Sequence, residues 1–185
     1  MMSKSYKIMV EIPFNSEIKY EYNRKTGQIE VDRILRDGYK YPATYGFLPE
    51  ALDWDGDELD VLVYSERAFV PGVMLNVRVV GALRMIDSGE TDTKLIAVHE
   101  DDFATDHIKS INDIPQKWLD SVKYFFEHYK DWKGKNQTHV PGFENELWAQ
   151  EEINECIHLM KTYGKMDKEE FVKKMMKEHP EKYII

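Results

Sequence analysis

The segment Asp53-Trp54-Asp55-Gly56-Asp57-Glu58-Leu59-Asp60 places five acidic residues within eight positions, directly before the apolar run Val61-Leu62-Val63-Tyr64. Two carboxylates about 4 Å apart repel each other by about 1–4 kcal/mol, depending on the effective dielectric. A folded protein keeps such a cluster when a cation neutralises it, and hard divalent ions with oxygen ligands suit this composition. The segment therefore predicts a tight turn that enters a buried strand and carries a magnesium-type centre.

Three other interpretations of this segment are open. A solvated acidic turn would hold no ion, but Trp54 and Leu59 between the acids favour a packed site. An EF-hand would need glycine at position 58 and glutamate at position 64, where the chain has Glu58 and Tyr64. A phosphoaspartate transferase of the Asp-x-Asp type would need a buried strand before the motif, and residues 48–52 do not look like such a strand. The divalent-metal interpretation is therefore favoured.

Composition excludes several classes of function. With 185 residues, 42% of them hydrophobic, the chain is expected to form a single domain over residues 1–185. A formal charge of −9 disfavours nucleic acid and anionic membrane surfaces as partners. The sequence contains no uninterrupted apolar run of membrane-spanning length, and its one cysteine, Cys156, is consistent with a reducing compartment. We expect a cytoplasmic protein.

The periodicity of apolar residues changes along the chain from strands to helices. Alternation predicts strands over 6–12, 18–22, 29–33, 73–86 and 94–98. In the longest of these, Leu75 and Leu83 are expected on one face and Gly81 at a bulge or bend. Helices are expected from Asp113 as a cap, near 144–163, and from Asp167 within a C-terminal helical extension over 164–185. Short strands followed by helices favour a small barrel with helices packed outside it.

Basic residues lie close to acidic ones elsewhere in the sequence. Lys19 shares a strand face with Glu21, and Lys94 follows Asp92 by two positions. A metal–phosphate site needs this alternation, because acids hold the metals while bases grip the phosphate oxygens. The further candidate cations and hydroxyl donors are Arg33, Lys40, Lys130, Tyr41, Tyr45 and Tyr129. The sequence contains neither a Walker glycine loop nor the Cys/His spacing of a zinc site.

The stretch Asp55-Gly56-Asp57-Glu58-Leu59-Asp60-Val61 resembles the signature of family I soluble inorganic pyrophosphatases. The resemblance extends in order over roughly residues 6–150, through Glu11-Ile12-Pro13, Ile18-Lys19-Tyr20-Glu21, Val31-Asp32-Arg33, Tyr41-Pro42-Ala43-Thr44-Tyr45-Gly46, residues 87–94, residues 106–109 and residues 125–130. It implies an α+β protein with a mainly β core, a five-stranded OB-like β-barrel with flanking α-helices. It also implies Mg²⁺-dependent hydrolysis of pyrophosphate to two orthophosphates, which removes pyrophosphate made by biosynthetic reactions. Several Mg²⁺ ions per site, replaceable by Mn²⁺ or Zn²⁺, and a homohexamer are further implications.

The resemblance also implies roles for individual residues. Asp57 would be the general base towards the attacking water, with Asp92 as the alternative catalytic residue. The implied metal-binding carboxylates are Glu11, Glu21, Asp55, Asp60, Asp87 and Asp92. The implied phosphate-binding groups are Lys19, Arg33, Tyr45, Lys94, Tyr129 and Lys130. The pattern breaks after Lys130, so Lys133 and Lys135 receive no role.

Two functions of other classes stay open at this stage. A non-catalytic barrel whose acids only bind divalent ions would melt in a metal-dependent way and release no phosphate. An oligonucleotide-binding barrel is disfavoured by the charge of −9 and by the absence of an aromatic-basic stripe from the sequence.

Overall fold

The computed structural model describes residues 4–134 and 137–183. Its strands are β1 (Ser5–Ile12), β2 (Ile18–Asn23), β3 (Gln28–Ile34), β4 (Thr44–Leu52), β5 (Glu58–Val63), β6 (Met74–Asp87), β7 (Glu90–Thr91), β8 (Lys94–His99) and β9 (Thr138–Asn145). Its α-helices are α1 (Gln116–His128), α2 (Glu146–Tyr163) and α3 (Lys168–Glu178). Short 3-10 turns lie at Phe103–Thr105, Ile111–Asp113, Asp131–Lys133 and Pro180–Lys182. Among these described helices, none is both long and apolar enough to cross a membrane.

Five strands close into a barrel in the order β1-β4-β5-β8-β6, and β6 pairs with β1 again. The β5–β8 pair is parallel, whereas the other barrel pairs are antiparallel. Strands β7 and β9 pair with the second half of β6, and β2 and β3 form a separate hairpin. Closure leaves these strands without free edges. The predicted mainly β fold, a five-stranded barrel with flanking helices, is confirmed.

Both faces of β8 and of the second half of β5 are buried. Val61 belongs to an apolar cluster that includes α2, whereas its neighbour Leu62 belongs to a second cluster that includes α1. Successive side chains of a strand point to opposite faces, so each helix covers a different side of the sheet. This double burial explains why β5 is a continuous apolar run after Asp60, and it fixes the register of the acidic segment.

The bulge expected at Gly81 is present, and it changes which face of β6 each residue occupies. The register with β8 shifts between Val79 and Gly81. A Cβ atom on Gly81 would lie 2.6 Å from the carbonyl oxygen of Glu144 in β9, so the close approach of the two strands requires glycine. Leu75 packs with the α2 cluster and Leu83 with the α1 cluster. The prediction that they share one face is wrong, because the bulge inserts a residue between them.

Strand β4 also differs from the prediction. Residues 48–52 form its second half, and the register with β5 breaks between Leu48 and Leu52, around Pro49. Proline lacks the N–H that a ladder needs, so it is tolerated at such an irregularity. A strand therefore precedes the acidic segment. The prediction that residues 48–52 are not a strand, which counted against a phosphoaspartate transferase, is wrong.

Two helix boundaries also differ. Helix α1 begins after Pro115, and Asp113 instead accepts hydrogen bonds from the backbone N–H groups of Lys109 and Ser110, at 2.9 Å each. Helix α2 begins at residue 146 because residues 138–145 form β9, which the sequence did not predict. Asn145 ends that strand and caps α2 by accepting hydrogen bonds from the next turn.

Residues 164–183, here called the C-terminal segment, pack against the acidic segment. Asp167 caps α3, as predicted, by accepting a hydrogen bond from the Glu169 N–H. Phe171 is 1% exposed and lies in an apolar cluster with Leu52 and Trp54. The Tyr183 hydroxyl donates to the Trp54 carbonyl oxygen at 2.5 Å. The C-terminal segment therefore supports the turn that carries the acids.

Candidate active site

A cleft of about 460 Å³ opens where the acidic segment, the β2–β3 hairpin and the end of α1 meet. Every residue for which the resemblance implied a catalytic, metal-binding or phosphate-binding role lines this cleft. These residues are Glu11, Lys19, Glu21, Arg33, Tyr45, Asp55, Asp57, Asp60, Asp87, Asp92, Lys94, Tyr129 and Lys130. They come from distant parts of the chain, so the fold rather than local sequence brings them together.

Lys94 lies at the buried centre of the cleft and is only 2% exposed. Its Nζ is 2.7 Å from a carboxylate oxygen of Asp60 and 2.7 Å from one of Asp92. The parallel β5–β8 register places Asp60 directly beside Lys94. Burial by itself would lower the pKa of Lys94, but the two carboxylates outweigh it and raise that pKa well above its usual range. Lys94 is therefore an ammonium ion that holds two acids together.

Asp60 and Glu11 are unusually hard to ionise. Burial raises the pKa of Asp60 to about 6, although Lys94 opposes the shift. Burial, followed by repulsion from Asp60, raises the pKa of Glu11 to about 8. The Tyr45 hydroxyl donates to the Asp60 carboxylate, and burial followed by the charge of Asp60 keeps the pKa of Tyr45 well above its usual value. Additional positive charge would therefore be favourable here.

The turn over residues 53–57, here called the acidic loop, is held by its first aspartate. The Asp53 carboxylate accepts hydrogen bonds from the backbone N–H groups of Trp54 at 2.7 Å and Thr93 at 2.9 Å. Gly56 has a φ of +85°, a conformation that favours glycine. Burial and then the nearby Asp92 raise the pKa of Asp55 well above its usual range. The loop therefore keeps Asp55 half-buried near other acids.

The β2–β3 hairpin forms a second wall of the cleft. Lys19 Nζ lies 2.9 Å from Glu21 and 3.0 Å from Asp32, and Arg33 also contacts Asp32 at 3.0 Å. Lys19 and Arg33 are directly opposite each other across the two strands. Both cations are therefore held side by side by acids on the same wall.

The end of α1 supplies the third wall. Tyr129 is the C-cap of the helix, is 7% exposed and stacks on Phe125 with ring centroids 5.0 Å apart. The Lys130 ammonium pairs with the Asp87 carboxylate. Burial lowers the pKa of Lys130, with Asp87 opposing the shift. A hydroxyl and an ammonium thus face the acids of the other walls across the cleft.

Several lining residues were not assigned by sequence reasoning. They are Asp32, Glu58, Glu90 and Lys168. Asp32 belongs to the quoted motif around Arg33 and could have been found from its position on the hairpin. Lys168 comes from the C-terminal segment and gives no sequence signal of this location. Lys40 does not line the cleft, and its Nζ lies 3.3 Å from a Glu17 carboxylate oxygen. Lys135 lies outside the described residues.

The comparisons with known proteins agree with this geometry. The family model described as inorganic pyrophosphatase matches residues 8–161. An inorganic pyrophosphatase of Ureaplasma parvum is 57% identical over 177 residues, covering 96% of this chain and 97% of the relative. The chain belongs to the inorganic pyrophosphatase family. It is accordingly an enzyme of the hydrolase class, and the predicted family and diphosphatase class are confirmed.

Other relatives of the pyrophosphatase family show how far the likeness extends. A relative from Geobacillus stearothermophilus is 42% identical over 155 residues, which is 84% of this chain and 93% of the relative. The crystal structure of inorganic pyrophosphatase from Thermus thermophilus has a TM-score of 0.81 at 40% identity, covering 85% of this chain and 91% of that one. The residues that line the cleft, apart from Lys168, lie within residues 8–161, which the family model matches.

A divalent metal, which this pyrophosphatase family generally uses, fits the donors in the cleft. Asp55, Asp60 and Asp92 offer hard oxygen atoms. The raised pKa values of Asp55 and Asp60 indicate that a nearby cation would stabilise their ionised carboxylates. Burial is the largest cause of these raised pKa values, so a bound cation would offset the free-energy cost of burying the ionised carboxylates.

A different acid-rich group, Asp53, Glu152 and Cys156, has ligand atoms that all lie within 4.8 Å of one another. Its acids are already partnered. Asp53 accepts backbone N–H groups, and Glu152 accepts the Trp54 indole N–H at 3.2 Å and lies 3.6 Å from Lys182. These contacts join α2 and the C-terminal segment to the acidic loop, so we interpret the group as structural.

Proposed function

We propose that this pyrophosphatase hydrolyses inorganic pyrophosphate to two orthophosphates in a Mg²⁺-dependent reaction. The observation that carries the proposal is the convergence of carboxylates, two of them buried, and fixed cations in one cleft of a family member. The residues proposed to hold the ions are Glu11, Glu21, Asp55, Asp60, Asp87 and Asp92. Bound there, Mg²⁺ would neutralise phosphate charge and acidify a water molecule enough for attack near neutral pH.

Asp57 is proposed as the general base. Its side chain is 52% exposed at the rim of the cleft, so water can reach its carboxylate. The side chain of Asp92, the alternative, is only 12% exposed and has one oxygen 2.7 Å from Lys94. In the reaction the water oxygen bonds to one phosphorus, the bridging P–O bond breaks, and its electron pair leaves with the second orthophosphate. Asp57 takes the water proton, and no covalent enzyme intermediate forms.

The cations and hydroxyls of the walls are proposed to bind the substrate. Lys19 and Arg33 would contact one phosphate group, while Tyr129 and Lys130 face it from the opposite wall. Positive charge at fixed positions stabilises the charge that grows on the leaving phosphate. Lys94 and Tyr45 would turn to phosphate oxygens when other cations occupy the carboxylates that they now contact.

A phosphate-release assay on pyrophosphate tests this function. The wild-type protein should release phosphate with Mg²⁺ and not with EDTA. Asp57→Asn should reduce kcat by about 10²–10⁴-fold, the usual contribution of a general base, whereas the exposed Asp120→Asn on α1 should match wild type.

Three results would change the account. Turnover of Asp57→Asn close to wild type would move the base role to Asp92. Metal-dependent melting without phosphate release would favour a non-catalytic ion-binding barrel. Release that is unaffected by EDTA would contradict the Mg²⁺ requirement.

The wider role is also proposed from the family resemblance. We infer a cytoplasmic enzyme of one domain over residues 1–185 that removes pyrophosphate made by biosynthetic reactions. It would accept Mn²⁺ or Zn²⁺ in place of Mg²⁺, have no nucleic-acid or membrane partner, and assemble as a homohexamer. Light scattering coupled to size-exclusion chromatography tests the last point, since a monomer would contradict it.

A further inference from the structure

The C-terminal segment places a lysine in the cleft that lies outside the part matched by the family model. Lys168 is the first residue of α3, seven positions beyond the end of that match at residue 161. Its Nζ is 2.5 Å from an Asp57 carboxylate oxygen, and the side chain lines the cleft. It therefore meets the residue proposed as the general base.

The position of this ammonium is fixed by packing on both sides. The Lys168 Cγ lies 2.9 Å from where a Cβ would stand on Gly56, so the aliphatic stem rests against the acidic loop. Asp167 caps the helix immediately before it, and Phe171, one turn later, is buried under the loop. Lys168 is thus held at the rim although half of its side chain is exposed.

Lys168 repeats the pattern of the other lysines in the cleft. Lys19, Lys94 and Lys130 each pair with a carboxylate proposed to hold metal or to lie beside it. Lys168 pairs in the same way with Asp57, and the charges of Asp55 and Glu90 also act on it. A cation at this rim attracts a polyanion and opposes the binding of further cations.

We propose that Lys168 is a substrate-contact residue, whose ammonium binds a phosphate oxygen of pyrophosphate at the rim of the cleft. The proposal rests on the proposed function and assigns the C-terminal segment a part in the active site. It makes a prediction that simple structural support does not make. Removal of the ammonium should weaken the binding of a diphosphate and strengthen the binding of Mg²⁺ to the substrate-free protein.

The test compares Lys168→Met, which keeps the packed stem, with Lys168→Arg and with Lys173→Met. Lys173 is exposed on the same helix and does not line the cleft, so its replacement changes the net charge equally. Isothermal titration measures Mg²⁺ binding alone, and methylene diphosphonate, a non-hydrolysable diphosphate, in the presence of Mg²⁺. Thermal melting checks the fold of each variant, and Lys168→Gln serves as a second variant if Lys168→Met does not fold.

We expect Lys168→Met to weaken diphosphonate binding roughly fivefold, between the effect of an exposed ion pair and that of a charged hydrogen bond. Its Mg²⁺ affinity should rise, its KM should rise more than its kcat falls, and Lys168→Arg should restore most of the binding. Equal behaviour of Lys168→Met and Lys173→Met would overturn the proposal. A loss of kcat with unchanged diphosphonate binding would also overturn it and make Lys168 a positioning residue for Asp57.

The two proposals fail separately. A wild-type protein that binds diphosphonate but releases no phosphate from pyrophosphate would end the proposed function, and the titrations would still decide whether Lys168 contacts the anion.

Discussion

Replacement of Lys94 by methionine tests the electrostatic core of the cleft. Methionine keeps most of the buried stem and removes the ammonium that lies 2.7 Å from both Asp60 and Asp92. Breaking a buried ion pair from one side typically costs about 3–5 kcal/mol, because the remaining charge is buried without a partner. For a chain of this size, that corresponds to a melting temperature lower by roughly 6–20 °C.

Proton uptake by Asp60 should relieve part of this cost. Lys94 opposes the rise that burial causes in the pKa of Asp60, so without Lys94 this pKa rises further and the folded variant binds a proton that the unfolded chain releases. The destabilisation of Lys94→Met should therefore be larger at pH 8 than at pH 6. Mg²⁺ should stabilise the variant more than wild type, because the freed carboxylates bind it without competition from the ammonium.

Urea unfolding in EDTA, at both pH values and then with Mg²⁺, measures these effects. Lys123→Met is the matched control, because the Lys123 side chain on α1 is 42% exposed and lies 3.9 Å from its partner Glu127. Such a surface pair is worth about 0–1 kcal/mol. A free energy of unfolding of Lys94→Met within about 1 kcal/mol of wild type in EDTA would show that Lys94 does not form a costly buried ion pair with Asp60 and Asp92. Equal stabilisation of both proteins by Mg²⁺ would show that the ammonium does not compete with the ion.

Two further predictions concern residues around the cleft. Burial raises the pKa of Glu11 from 4.5 to about 8, so the metal-free protein should lose stability as pH rises through that interval. Glu11→Gln should remove this loss and be more stable than wild type at pH 8 by roughly 2–5 kcal/mol. The midpoints of urea unfolding at pH 5 and pH 8 measure this difference. Stabilities of the two proteins that change with pH in the same way would contradict the prediction. Phe171→Ala should lower the free energy of unfolding by about 3–5 kcal/mol and raise the Mg²⁺ concentration needed for activity, because Phe171 packs under the acidic loop. Val172→Ala, at a half-buried position, is the control. Equal melting temperatures of the two variants would argue against support of the acidic loop by Phe171.

The barrel and most of its strands were predictable because their signal is local. Alternating apolar residues identify a strand wherever one face is buried, as in residues 6–12, and an apolar run after Asp60 marks a strand buried on both faces. Strand β9 was missed because it follows a weakly patterned segment and its partner, β6, lies more than fifty residues earlier. Only the folded chain brings the two strands together.

The acidic segment was recognised from the sequence, but the separate uses of its acids were not. Asp53 holds the loop through backbone hydrogen bonds, and Glu58 pairs with Arg24 at 2.7 Å. The remaining aspartates of the segment line the cleft. Which acid becomes structural depends on contacts with Thr93 and the hairpin, and the sequence near the segment carries no information about them. The same limit applies to Lys168, whose partner Asp57 is 111 positions away.

Diffraction from Mn²⁺-soaked crystals at an anomalous wavelength would show directly whether the cleft binds a divalent ion. We expect an anomalous peak coordinated by carboxylate oxygens of Asp55, Asp60 and Asp92. The absence of any peak among these residues, or a peak confined to Asp53, Glu152 and Cys156, would contradict this expectation.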